Sequence, residues 1–127
     1  MVSKLIDTME IDHLLDYGCG EAHTFSETLK PERNFTYQAY DPNVPAYSSE
    51  PIPAALVVSV DYLSRLPLCD VDDALDEIEE LTEWALFCTI NSKQPLEWWL
   101  PKFMERFSLQ RLQVTGKQSF CIVAYSN

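Results

Sequence analysis

Two glycines and two acids at fixed spacing are where this sequence can do chemistry. In LLDYGCGEAHTFSETL, residues 14–29, an apolar run ends in Asp16, breaks at Gly18 and Gly20, and gives way to a segment of helical pattern. Glycines at a strand-to-helix turn let backbone N–H groups approach a bound group closely, because no Cβ stands in the way. The glycines alone do not separate a nucleotide cradle from a tight turn. A nucleoside also needs an acid at the end of the next strand, about 20 residues on, to accept hydrogen bonds from ribose hydroxyls. Asp41 meets that need, directly after FTYQAY and 21 residues beyond Gly20.

The elements that would hold these residues follow from periodicity. Residues 13–16 read as a short buried strand and 24–29 as a short helix closed by the Lys30-Pro31 step. Residues 35–40 form a second strand, and AALVVSV, 54–60, another. Between them 41–53 holds four prolines and is loop, since proline supplies neither a donor nor φ freedom. From Asp70 to Trp84, Val71, Ala74, Leu75, Ile78 and Leu81 recur at helical spacing. Asp70 stands as N-cap, with Asp72 and Asp73 at the positive end of the dipole. Its other face carries Asp76, Glu77, Glu79, Glu80 and Glu83, either a solvated surface or a docking face for a basic partner.

Residues 85–91 are a buried strand, and Pro95 opens a helix with Trp99, Phe103 and Phe107 on one face, which Pro101 is expected to kink or restart. A hairpin, 109–115 and 119–125, closes the chain around Gly116. This alternation predicts an α/β fold, a doubly wound, mostly parallel sheet of about six strands with one antiparallel C-terminal hairpin.

Composition narrows the partners. At 127 residues, nearly half apolar, the chain is expected to fold as one domain. A formal charge of −11 repels the phosphate backbone, and the only loose basic grouping, Lys102, Arg106, Arg111 and Lys117, reads as solvated charge; no nucleic-acid partner is expected. No run of eighteen apolar residues marks a membrane span and no export segment is visible, so the cytoplasm is the default. Cys19, Cys69, Cys88 and Cys121 form no CxxC pair and read as reduced core residues. No histidine and cysteine cluster has metal spacing, and GxxxxGK[ST] and the third glycine of the dinucleotide fingerprint are absent.

Asp16-Tyr17-Gly18-Cys19-Gly20, with Asp41 beyond, resembles the first motif of class I S-adenosylmethionine-dependent methyltransferases, an acid followed by two alternate glycines. VVSVDYLSRLP, 57–67, is similar to the family's fourth-strand segment at Leu63, Leu66 and Pro67, with Ser64 and Arg65 in place of the usual Glu and His and Ala55 in place of the strand's initial acid. The resemblance implies that Asp16 and the backbone at Gly18 and Gly20 hold the methionine part of S-adenosylmethionine and that Asp41 holds the ribose. Tyr17, Cys19, Pro42, Ser59 and Asp61 join them as expected cofactor-contacting residues. His23, Tyr62 and Asn91 are substrate-pocket candidates. His23 could serve as a base or simply be an exposed polar residue.

The family's third strand and a flanking helix have no counterpart, so the adenine side is expected to be open or built from the proline-rich loop. The implied sheet order is 2-1-4-5-7-6 in the family's strand numbering. The bare edge of strand 35–40 is expected to be paired across a homodimer or capped by the 42–53 loop. Two functions remain: a minimal methyltransferase acting on a small molecule or on a partner macromolecule, with S-adenosylmethionine as donor and S-adenosylhomocysteine as product, or an inactive relative kept as a binding or regulatory module that presents its acidic helix to a basic protein. Asn-Pro-Pro-Tyr and Pro-Cys segments are missing after the fourth strand, which sets DNA-base methylation aside.

Overall fold

The computed structural model describes residues 1–20 and 24–127. Helix α1 (Val2–Thr8) precedes β1 (His13–Tyr17), α2 (Thr24–Glu27), β2 (Thr36–Tyr40), β3 (Ala54–Val60), α3 (Val71–Leu81), β4 (Thr82–Asn91), α4 (Leu96–Met104), β5 (Phe107–Val114) and β6 (Ser119–Ser126). The six strands make one sheet in the order β2-β1-β3-β4-β6-β5. The β2, β1, β3 and β4 neighbours are parallel, and β6 runs antiparallel between β4 and β5. This is the order expected from the sequence, with the family's third strand absent.

Each face of the sheet carries its own core. Leu15, Val57 and Leu86 pack with Leu75 and Ile78 of α3 and Trp99 and Phe103 of α4. On the reverse face Leu14, Leu56 and Phe87 pack with Val2 and Ile6 of α1. Strands buried on both faces read as continuous apolar runs, which is why 54–60 stood out in sequence.

Several boundaries differ from expectation. Helix α3 stops at Leu81, where the Thr82 hydroxyl donates to the Ile78 carbonyl at 2.7 Å and Thr82 then pairs with Ala54 as the first residue of β4. Asp70 makes no side-chain cap bond, because a 3-10 turn over Leu68–Asp70 leads directly into the helix. Pro101 sits inside α4 without ending it. The hairpin begins at Phe107, two residues early. Helix α1 was not anticipated. The cysteines are all free, but only Cys88 and Cys121 are core: Cys19 is half-buried and Cys69 exposed.

The loop between β2 and β3 folds back onto β2. The Gln38 carboxamide donates to the Ile52 carbonyl at 3.1 Å and accepts from the Ile52 N–H at 3.0 Å, and the Asp41 N–H donates to Tyr47 at 2.9 Å. The loop adds no strand, so among the described residues β1 is the only strand paired with β2.

Helices α3 and α4 are joined by ions. Lys102 reaches Asp72 at 3.0 Å, and Arg106 reaches Asp76 at 2.9 Å and Asp72 at 3.4 Å. Two of the bases read as solvated charge are therefore spent on one row of the acidic helix. The Lys102 hydrogen bond, ahead of the charges of Lys102 and Arg106, holds the Asp72 carboxyl below its ordinary value of 3.8. A carboxyl depressed in the folded state contributes stability above its unfolded pKa and loses it as pH falls through the folded one. Asp72→Asn is expected to shrink the loss of melting temperature below about pH 4, an effect weakened by salt because the pair is exposed. Melting curves of both proteins between pH 6 and 2.5, at low and high salt, check this.

Candidate functional site

The C-terminal ends of β1, β2 and β3 meet at the glycine turn. Gly18 and Gly20 have φ +82° and +72°, in the left-handed region where a Cβ is strained. Their reasons differ. A Cβ on Gly18 would lie 2.2 Å from Cγ of Tyr62, so that glycine exists to let the Tyr62 ring lie on the backbone. Among the described residues, a Cβ on Gly20 would meet nothing within 4 Å.

Backbone bonds tie the turn to β2. The N–H groups of Gly18 and Cys19 donate to the Tyr40 carbonyl at 2.7 and 3.2 Å. The Gly20 N–H donates to Oδ2 of Asp41 at 3.0 Å, and the Asn43 N–H to its Oδ1 at 2.9 Å. Asp41, expected at the open mouth of the sheet, is only 5% exposed and clamps two loops. Each oxygen keeps a second lone pair, so the clamp does not exhaust its capacity to accept.

Beside it a cleft of about 280 Å³ is lined by Gly20, Asp41, Asn43, Tyr62, Arg65 and Leu66. A second cavity, of about 440 Å³, shares Asn43, Tyr62 and Leu66 with it and adds Tyr17, Tyr40 and Pro42. The two flank Tyr62. Burial raises the phenols of Tyr17, Tyr40 and Tyr62, and Glu77, which accepts the Tyr17 hydroxyl at 2.7 Å, raises Tyr17 further. They act as neutral donors and apolar walls.

The remaining expected residues are dispersed. Asp16 is 1% exposed, on the opposite face from Tyr17, and accepts the Tyr37 hydroxyl. Cys19, half-buried beside Asp16 and Asp41, has its thiol pushed up to about 11, first by burial and then by those charges, and is an inert thiol at neutral pH. Ser59 is fully buried, lines neither cavity and leaves its hydroxyl without a partner. Asn91 is exposed at the end of β4 and lines neither cavity. His23 lies outside the described residues.

Asp61, named as a cofactor-contacting residue, shapes the turn after β3. It is a non-glycine residue at φ +56°; its N–H donates to the Thr89 hydroxyl at 2.9 Å, that hydroxyl donates to Oδ1 of Asp61 at 2.9 Å, and the Arg65 Nε donates to its carbonyl at 3.0 Å. This knot turns the chain after β3 so that Tyr62 falls on Gly18. Aspartate tolerates the left-handed region better than most residues, which is the signal the sequence offered.

An unpartnered buried hydroxyl costs about 1–3 kcal/mol of desolvation. Ser59→Ala is therefore expected to keep or raise stability, by up to about 1 kcal/mol, and to leave ligand binding unchanged. Urea unfolding checks the first part and calorimetry the second.

The backbone as a whole matches solved structures. The chain aligns over 99% of its length with magnesium protoporphyrin IX methyltransferase from Synechocystis PCC 6803, crystallised with bound SAM, at 13% identity and TM-score 0.73, covering 76% of that chain. The fold is that of the class I methyltransferases. The N-methyltransferase NodS from Bradyrhizobium japonicum WM9, crystallised with S-adenosyl-L-homocysteine, aligns over 98% of this chain and 84% of its own at 12% identity and TM-score 0.67. TnmH aligns over 99% of this chain at 12% identity and TM-score 0.74, and the chain spans about half of it, 53%. No protein-family model and no curated protein matches the sequence.

Proposed function

We propose that this chain binds S-adenosylmethionine at the cleft between Gly20 and Asp41 and transfers its methyl group to a small-molecule acceptor. The reading is carried by one observation: the Gly20 N–H and the Asp41 carboxylate stand 3.0 Å apart across the ends of β1 and β2, with no described residue within 4 Å of a Cβ on Gly20. The spare lone pairs of Asp41 accept from ribose hydroxyls, Asn43 borders the same opening, and Pro42 lines the cavity beside it. Bound there, S-adenosylmethionine would supply a methyl group on a sulfonium, a leaving group that asks no covalent help from the protein. What the chain contributes is position: the clamp at Asp41 holds the cleft's two loops, and Tyr62 walls it.

The second reading, a binding module without turnover, is favoured by Asp16. The residue that the first motif assigns to the methionine part is 1% exposed and accepts the Tyr37 hydroxyl.

Melting the purified protein with S-adenosylhomocysteine tests the binding common to both readings. At about 100 times its dissociation constant the ligand adds roughly 2.7 kcal/mol, a rise of several degrees. No shift at millimolar ligand would overturn it. Methyl transfer from labelled S-adenosylmethionine to a panel of small acceptors then separates enzyme from module.

A further inference from the structure

The larger cavity carries chemistry that the cofactor reading does not use. Three tyrosines form its walls: the ring of Tyr17 lies 5.2 Å from Tyr40 at 49° and 5.5 Å from Tyr62 at 79°. Rings so inclined give a box and not a stack. Facing them is one stripe of α3 and its lead-in, Asp70, Asp73 and Glu77, at the i, i+3, i+7 spacing of a single helix face.

The acidic helix is thus divided into two rows. Asp72 and Asp76 are neutralised by Lys102 of α4 and by Arg106 just beyond its end. Among the described residues no ion pair engages Asp70, Asp73 or Glu77, and the cavity is lined by no lysine, arginine or histidine. Arg65 lines the neighbouring cleft and gives its Nε to the Asp61 carbonyl. Three carboxylates outweigh the partial positive charge of the helix N-terminus, about half an elementary charge. Aromatic faces and uncompensated carboxylates around one cavity are the surroundings an organic cation seeks.

We propose that the cavity walled by Tyr17, Tyr40 and Tyr62 and faced by Asp70, Asp73 and Glu77 binds a small alkylammonium cation, its N-alkyl groups against the rings and its charge balanced by the carboxylates. A metal ion fits less well, because three tyrosine rings, together with Leu66 and Pro67, face the carboxylates across the cavity. The site stands on the cavity itself and does not require that S-adenosylmethionine bind next door; if it does, the cation is placed beside the donor as an acceptor or its methylated product would be.

Calorimetric titration of the full chain with choline, and with its uncharged isostere 3,3-dimethylbutanol, tests the proposal. Choline is expected to bind and the isostere to bind at least about tenfold more weakly, since only the charge differs. Tyr40→Ala and Asp73→Asn, both at partly or fully exposed positions where folding is preserved, are each expected to weaken choline about fivefold or more. Equal binding of the two probes, or no binding of choline up to about 10 mM, would overturn the proposal. So would displacement of choline by adenosine, which would make the cavity the seat of the nucleoside base. Failure of S-adenosylhomocysteine to bind, with choline still bound, would sink the cofactor reading and leave this one standing.

Discussion

Gly18→Val is expected to destabilise the protein by about 4 kcal/mol, combining a clash in a packed site with a β-branched residue at positive φ. The clash is specific. The new Cβ would fall 2.2 Å from Cγ and 2.6 Å from Cβ of Tyr62, and Tyr62 cannot retreat easily because Tyr17 lies against its ring and the Asp61 turn fixes its backbone. For a domain of this size the loss lowers the melting temperature by roughly 10–20 °C. Gly20 provides the control, since a Cβ there meets none of the described residues and the left-handed penalty, about 1–2 kcal/mol, is what applies to Gly20→Ala. Urea unfolding of Gly18→Ala and Gly20→Ala separates clash from strain. Equal losses would show that Tyr62 does not bear on Gly18.

Asp41→Ala is expected to cost about 3 kcal/mol and to abolish nucleoside binding as well. Two backbone N–H groups, those of Gly20 and Asn43, lose a charged acceptor at 3.0 and 2.9 Å that is itself only 5% exposed. Hydrogen bonds to a charged group are worth about 1.5–3 kcal/mol each, and some of that returns as water enters the loops. Asp41→Asn keeps one carbonyl oxygen but turns an N–H₂ donor toward one of the two N–H groups, so an intermediate loss is expected. An Asp41→Ala protein as stable as the parent would mean that the carboxylate serves only a ligand and holds no loop.

That outcome is what the sequence alone suggests, and the difference shows where sequence reading stops. The spacing of Gly20 and Asp41 locates both residues correctly at adjacent strand ends. It does not reveal that they bond to each other, because reach across a turn is a tertiary fact. Continuous apolar runs gave β3 over residues 54–60, while the strand order came from the resemblance to the class I methyltransferases. Helix α1 escaped because seven residues with two buried positions, Val2 and Ile6, carry too little periodicity; packing on the reverse face makes it a helix. Ser59 and Asn91 were named from their places on strands near the site, but alternation turns the first into the core, and the second ends its strand outside both cavities. The tyrosine box was invisible for a related reason. Its members come from three separate strand ends, and only the fold brings residues 17, 40 and 62 together.

The most direct test of the central claim is a titration of ¹⁵N-labelled protein with S-adenosylhomocysteine, followed residue by residue. The account predicts that the amides of Gly20, Asn43 and Tyr62 shift first and saturate together, while Ser59 and Asn91 stay in place. Saturation without movement at Gly20 and Asn43, or shifts centred instead on the separate cavity between residues 92–96 and the turn at Gly116, would contradict it.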